Sequence, residues 1–209
     1  AEAYALFMNA YNALAIKMVV DHGCLGGVPI ASIGDIGKAG AGPPVVWGMP
    51  AGVIAGKMYS LQQIEDYLRN PVPWAEDPRL HTCIVCASLS CPNLPLRAFR
   101  TESVEAQMDA QVAALLGNTQ KGCLLNQAAR TVTLSMVFKW YAADFIKTSG
   151  SVLDFILPLL PSAADRSFVA ANKAGIAITY FPWNRRLNGP APCVQGSYAR
   201  RLPAEDLLL

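Results

Sequence analysis

The chain opens on a helical period. From residue 3 to residue 22 apolar side chains recur at three- and four-residue steps, and Gly23 closes the run. Wound at 100° per residue, Phe7, Tyr11, Leu14 and Met18 form one face. Ala5, Asn9, Asn12, Ala13, Ile16 and Val20 form the opposite face, small and apolar except for two asparagines. Only the side carrying Lys17 and Asp21 reads as solvent-facing, so this helix is expected to be central and buried on two sides. Residues 24–50 are rich in Gly, Pro and Ala, with a loop expected over 37–44. Short strands are expected over 45–47 and 53–59, joined through Gly48-Met49-Pro50. Ser60 and Gln63 then form a capping-box pair at the start of a helix running to Arg69. Leu61, Ile64 and Leu68 make its apolar stripe, and Glu65 falls inside that stripe.

Further along, the apolar run from His81 to Ala87 reads as a short buried strand, and Ser88 to Pro95 as the loop leaving it. Thr101 or Ser103 caps a helix through Val104, Met108, Val112 and Leu115, ended by Gly117. Alternation predicts a strand over 130–134, and periodicity a helix over 135–147. A second capped helix over 151–160 is cut short by Pro158 and Pro161, and 176–181 reads as a final strand. There is no repeat and no low-complexity block. The expected fold is α+β: a single domain over 1–189, with a short mixed or antiparallel sheet packed on the buried N-terminal helix and further helices around it. An extended C-terminal tail is expected over 190–209.

Composition narrows the class. The chain has 209 residues, enough for one well-filled domain, and 53% of them are hydrophobic against 15% charged. No uninterrupted apolar run approaches the ~18 residues that would cross a bilayer, so no transmembrane segment is expected. The net charge is +2, with basic pairs only at Arg185-Arg186 and Arg200-Arg201, which is no nucleic-acid footprint. The sequence begins at Ala1, already inside a helical pattern, as expected of a chain whose leader has been removed. Six cysteines permit disulfides without requiring them.

The chemistry concentrates between Asp77 and Pro92, where His81, Cys83, Cys86 and Cys91 fall within eleven residues. Four such ligands suit tetrahedral zinc in number. On a strand, however, His81 and Cys83 would face one way and Cys86 the other, and no second ligand pair follows, so no metal is expected. A Cys86–Cys91 disulfide across the short loop is a second reading, and small buried thiols a third, preferred for Cys83. A nucleophilic site would use Cys86 or Cys91, with His81 as base and Glu65 orienting the ring. Arg79 is an equally good structural partner for Glu65. Asn9 and Asn12 are expected to pin a neighbouring loop or strand edge, or else to supply oxyanion-type donors to a pocket with His81. Lys139 and Asp144, in the cluster Phe138-Lys-Trp-Tyr-Ala-Ala-Asp-Phe145, are further binding candidates, although their spacing of five is poor for a helical ion pair. The segment from Tyr180 to Asn188 reads as an aromatic lip over a pocket, or simply as the end of the last strand. No motif calls for a cofactor, and the partner expected is a small molecule or peptide.

Five blocks in order carry a family resemblance. They are Phe7-Met-Asn-Ala-Tyr-Asn-Ala-Leu14 with Ile16-Lys17, Tyr59-Ser-Leu-Gln-Gln-Ile-Glu65, Asp77 through Pro92, Phe138 through Phe145, and Tyr180-Phe-Pro-Trp down to Leu187-Asn188. Together they resemble the domain of unknown function 547 family of bacteria and plants, over residues 3–189. The resemblance implies that Asn9, Asn12, Glu65, His81, Cys86 and Asp144 occupy family-pattern positions. Cys83 stands where a small apolar residue is usual, and Cys91 matches bacterial members where plant relatives often have serine. Trp183-Asn184-Arg185-Arg186 replaces the usual Tyr-Asp-Trp-Ser. Bacterial relatives frequently carry export signals, so a periplasmic or secreted protein is expected, with a cytoplasmic one as the alternative.

The resemblance implies no activity. Two function classes therefore stand. One is an exported bacterial binding or scaffold domain in which Asn9, Asn12, Glu65 and His81 form a structural polar network. The other is a thiol-dependent hydrolase or acyltransferase, with papain-like or transglutaminase-like chemistry at Cys86 or Cys91. Those enzymes place cysteine at the start of the helix packed on the sheet, where this chain has Asn9 and Asn12. That mismatch ranks catalysis second.

Overall fold

A computed structural model describes residues 2–38, 44–70, 77–191 and 193. Helix α1 (Glu2–His22) is the axis of the first half. Tyr4, Met8, Tyr11, Ala15 and Met18 are buried along it, each large side chain contributing roughly 1.5–3 kcal/mol of burial. The expected second buried face is only half realised: Ala5 and Asn12 are buried, but Ala13, Ile16 and Val20 are exposed. By length and composition alone α1 would serve to cross a membrane. In this fold its apolar side is taken up by a protein core.

Two two-stranded elements follow, β1 (Cys24–Leu25) with β2 (Val28–Pro29), and β3 (Pro50–Ile54) with β4 (Lys57–Ser60), both antiparallel. The hairpin corrects the expectation for this region. Val46–Gly48 is a 3-10 turn rather than a strand, and the chain reverses inside the expected 53–59 strand, at Ala55-Gly56. Both turn residues have positive φ (47° and 78°), as a tight two-residue hairpin turn demands. Gly52 lets β3 lie on α1: a Cβ there would fall 2.3 Å from Leu14 Cδ2.

Helix α2 (Leu61–Arg69) starts at the expected capping box, with Ser60 Oγ accepting from Gln63 N and Gln63 Oε1 from Ser60 N. Its buried residues are Leu61, Ile64 and Leu68. The expected strand over 81–87 is instead a single helical turn, α3 (Leu80–Cys83), followed by extended chain and a tight loop. Helix α4 (Val104–Leu116) bridges two cores. Its Met108 belongs to the core around α1 and α2, while Val112, Leu115 and Leu116 belong to a second core.

That second core is built on one three-stranded sheet, with β6 (Thr131–Leu134) between antiparallel β5 (Cys123–Asn126) and parallel β7 (Ala177–Tyr180). The expected helix over 135–147 is broken at Tyr141 into α5 (Val137–Trp140) and α6 (Ala142–Ser149). Helices α7 (Val152–Ile156) and α8 (Ala163–Asn172) complete the crossover to β7. The architecture is α+β with short mixed sheets, as expected. Most of the 190–209 tail lies outside the described residues.

Candidate functional site

The asparagines of α1 bind backbone. Asn9 Nδ2 donates to Phe99 O at 2.9 Å and its Oδ1 accepts from Phe99 N at 2.8 Å. Asn12 does the same one turn on, donating to Cys83 O and accepting from Val85 N, both at 2.9 Å. Each amide thus satisfies backbone groups of segments that no regular ladder serves. The Asn12 pair fixes the chain as it leaves α3, and so fixes where Cys86 begins. Neither asparagine lines the cleft described below.

His81, on α3, is paired with Asp144 of α6, not with Glu65. Its Nε2 lies 2.8 Å from Asp144 Oδ2, and its ring stacks on Tyr141 with centroids 3.5 Å apart and planes 8° from parallel. Burial lowers the His81 pKa to about 4, against the opposing pull of the Asp144 carboxylate. The neutral ring therefore donates Nε2–H to Asp144. Arg69 closes this cluster, with Nη2 3.3 Å from Asp144 Oδ2 and its guanidinium 5.7 Å from the Tyr141 ring centre. Glu65 lies beside Arg69 (4.0 Å), and desolvation raises its pKa. Arg79, the other partner considered for Glu65, is instead held by Asp77, Glu105 and Asp109. Lys139 does not meet Asp144; its ammonium sits 5.5 Å from the centre of the Tyr180 ring.

The two cysteines of the loop do meet. Cys86 Sγ lies 3.1 Å from Cys91 Sγ and 3.2 Å from Ser88 Oγ, and Cys86 N donates to Cys91 Sγ at 3.1 Å. They are free thiols, not the disulfide considered from sequence. The disulfide present joins Cys24 to Cys193 across 169 residues, a pairing that no local spacing announces. Hydrogen bonding from Cys91, reinforced by Ser88 and backbone N–H groups, lowers the Cys86 pKa to about 6 despite burial. Cys91 moves the opposite way, because sharing its proton with Cys86 and burial both disfavour its thiolate. The remaining free thiols, Cys83 and Cys123, are pushed up by burial to about 12 and about 11.

The loop carrying these thiols is clamped on two sides. Leu89 N donates to Arg186 O, Asn188 N to Ala87 O, and Asn184 N to Ser90 Oγ, so the segment after β7 runs alongside it. From the other side Lys121 Nζ donates to Leu89 O, Cys91 O and Asn93 Oδ1 at 3.2, 2.6 and 2.8 Å. Ala87, between Cys86 and Ser88, holds a φ of 57°, a left-handed conformation that costs a residue with a Cβ about 1 kcal/mol or more. Clamp and turn together fix the direction of the Cys86 side chain.

Cys86 is one of the residues that line a cleft of about 790 Å³. Trp47, Trp140, Tyr141 and Trp183 supply its aromatic wall, and Cys86 and Glu65 are among its polar groups. Tyr11 and Ser88 border it too, and Arg185 and Arg186 stand at its edge on the segment expected to form an aromatic lip. His81 is not among the lining residues; it stands behind Tyr141. Of the proposed dyad, the cysteine lines the cleft and the imidazole is committed to Asp144. Sequence reasoning missed Asp144 as the histidine's partner, along with Tyr141, Ser88 and Lys121. One signal was available: Tyr141 and Asp144 are three apart, the spacing that puts a ring and a carboxylate on one helix face. Among the described residues no group of three or more His, Cys, Asp or Glu side chains is arranged to hold a metal ion.

Residues 1–116 match the family model described as "Protein of unknown function, DUF547". The match ends with α4, so it covers three of the five blocks noted in the sequence and, of the second core, only the α4 residues Val112, Leu115 and Leu116. Comparison with curated proteins and with solved structures finds no match.

Proposed function

Because the chain belongs to the DUF547 family, whose description carries no activity, we propose from its own cleft that it is a binding domain for a small molecule or peptide. The observation that carries this reading is the cleft itself. About 790 Å³, with three tryptophans and two tyrosines in its lining and acidic and basic side chains (Asp35, Glu65, Lys38, Arg185, Arg186) beside them, is the size of a ligand site that offers both stacking and charged contacts. Under this reading the Asn9, Asn12, His81 and Asp144 contacts are framework. They hold the cleft's floor and the Tyr141 ring rather than touching ligand. Export from a bacterial cell is the accompanying inference, supported by the Cys24–Cys193 disulfide, which is at home in an oxidising compartment.

The experiment is a screen of metabolites and short peptides by tryptophan fluorescence, repeated on Trp183→Ala and on Lys147→Ala, a change outside the cleft. Ligands lost by the first variant and retained by the second support the reading. Ligands indifferent to Trp183 contradict it.

A second reading, thiol-dependent acyl transfer or hydrolysis, is favoured by one observation: Cys86 lines the cleft, and the hydrogen bonds its sulfur makes with Cys91 and Ser88 favour its thiolate. Such a thiolate needs no histidine to activate it, so this version drops His81 as base. A slowly turned-over activated ester that acylates Cys86, trapped by mass spectrometry, would support it. Acylation equal at Cys86 and Cys123 would sink it.

A further inference from the structure

Two thiols 3.1 Å apart, one facing a ligand cleft and the other 4% exposed beneath it, are more than a binding surface requires. We propose that Cys86 and Cys91 form a dithiol couple that exchanges with a disulfide entering the cleft, Cys86 attacking and Cys91 resolving. The assignment of roles follows from access. Cys86 is half-buried and borders the open volume, whereas Cys91 is buried and is not among the residues that line it. The sulfurs stand about 1 Å beyond the ~2.05 Å of a disulfide bond, close enough for the second to attack the first.

The chemistry balances on the residues present and one disulfide substrate. The Cys86 thiolate attacks a sulfur of the substrate RS–SR, forming a Cys86–SR mixed disulfide and releasing RS⁻. Cys91, giving up its proton to that thiolate, attacks Cys86 Sγ, closes the Cys86–Cys91 bond and releases the second RS⁻, which takes a proton from solvent. Two protein thiols are oxidised and one substrate disulfide is reduced, a two-electron exchange. The clamp from Lys121 and the 184–188 segment gives the couple its geometry. It holds the four intervening residues so that the second sulfur waits beside the first. The lowered pKa of Cys86 and the raised pKa of Cys91 agree with an attacking and a resolving thiol. Nothing in this depends on the cleft's natural ligand, because a small disulfide can probe the couple directly.

The test uses the full chain, reduced, freed of reductant and mixed with oxidised glutathione. Samples are quenched in acid over time and mapped by peptide mass spectrometry. The expected course in the wild type is a transient glutathione adduct on Cys86 that converts to a Cys86–Cys91 link. Cys86 should react at least about tenfold faster than Cys83 or Cys123. Cys91→Ser should retain the adduct on Cys86, and Cys86→Ser should leave Cys91 unmodified in the folded protein. A wild-type adduct that persists on Cys86 with Cys91 still free overturns the proposal. So does a native protein, folded by circular dichroism, in which neither thiol reacts. Should Cys91→Ser fail to fold, the wild-type time course alone decides.

Discussion

His81 Nε2 and Asp144 Oδ2, 63 residues apart in sequence, meet at 2.8 Å and tie α3 to α6 behind the cleft. The imidazole is neutral there because burial holds its pKa at about 4, while the unfolded chain binds a proton near pH 6.5. Between those two values the unfolded state carries the extra proton. Stability is therefore full above about pH 6.5 and falls as pH drops towards 4. The loss is on the order of 2–3 kcal/mol. Urea unfolding at pH 7 and pH 4.5 should show this loss in the wild type and a smaller one in His81→Gln.

Asn12 spans the helix and the loop on which Cys86 depends. Asn12→Ala leaves Cys83 O and Val85 N without their partner in a buried setting, at an expected cost of about 2–4 kcal/mol. Asn12→Asp should be destabilising as well, since a carboxylate accepts from Val85 N but cannot donate to Cys83 O. Chemical denaturation of the two variants measures both effects.

Cys86 should alkylate with a rate that rises through about pH 6 and then levels, well below the range of an ordinary thiol. Ser88→Ala removes one of the groups that favour the thiolate and should move the midpoint upward. Iodoacetamide kinetics across pH 5–9 give the profile, and an unchanged midpoint would remove Ser88 from the account.

Trp140 and Trp183, with ring centres 4.6 Å apart, form the aromatic edge of the cleft. Replacing Trp183 with alanine should weaken any cleft ligand by about tenfold, or roughly 1.4 kcal/mol, and, because the half-buried ring also packs on the second core, should lower folding stability by about 1–3 kcal/mol. Titration calorimetry and denaturation of the same variant separate the two effects.

The parts of this fold that were legible in sequence are those whose signal is local. Helix α1 was legible through its 3.6-residue period and Gly23, and α2 through the Ser60–Gln63 box. The region 81–87 reads as a strand in sequence because a four-residue helix followed by extended chain, buried from Leu80 to Val85, has no period to detect. The 50–60 hairpin was misread because its turn uses Ala55, a residue without the usual Asn or Gly signature. Of the candidate residues named from sequence, Cys86 and Glu65 line the cleft, His81, Cys91 and Asp144 stand behind it, and Asn9, Asn12 and Lys139 are not among its lining residues. Their pairing was not found. Whether His81 faces Glu65 or Asp144, and whether Cys24 reaches Cys193, depends on how α3, α6 and the segment after β7 pack. No spacing encodes that packing.

The most direct measurement is alkylation of the native protein at neutral pH, mapped to each cysteine. Cys86 should be modified first, with Cys83, Cys91 and Cys123 following only on unfolding. Cys24 and Cys193 should remain joined until reduced. Modification of Cys86 no faster than that of Cys83 or Cys123 would contradict a cleft that opens on Cys86, and with it the site proposed for this protein.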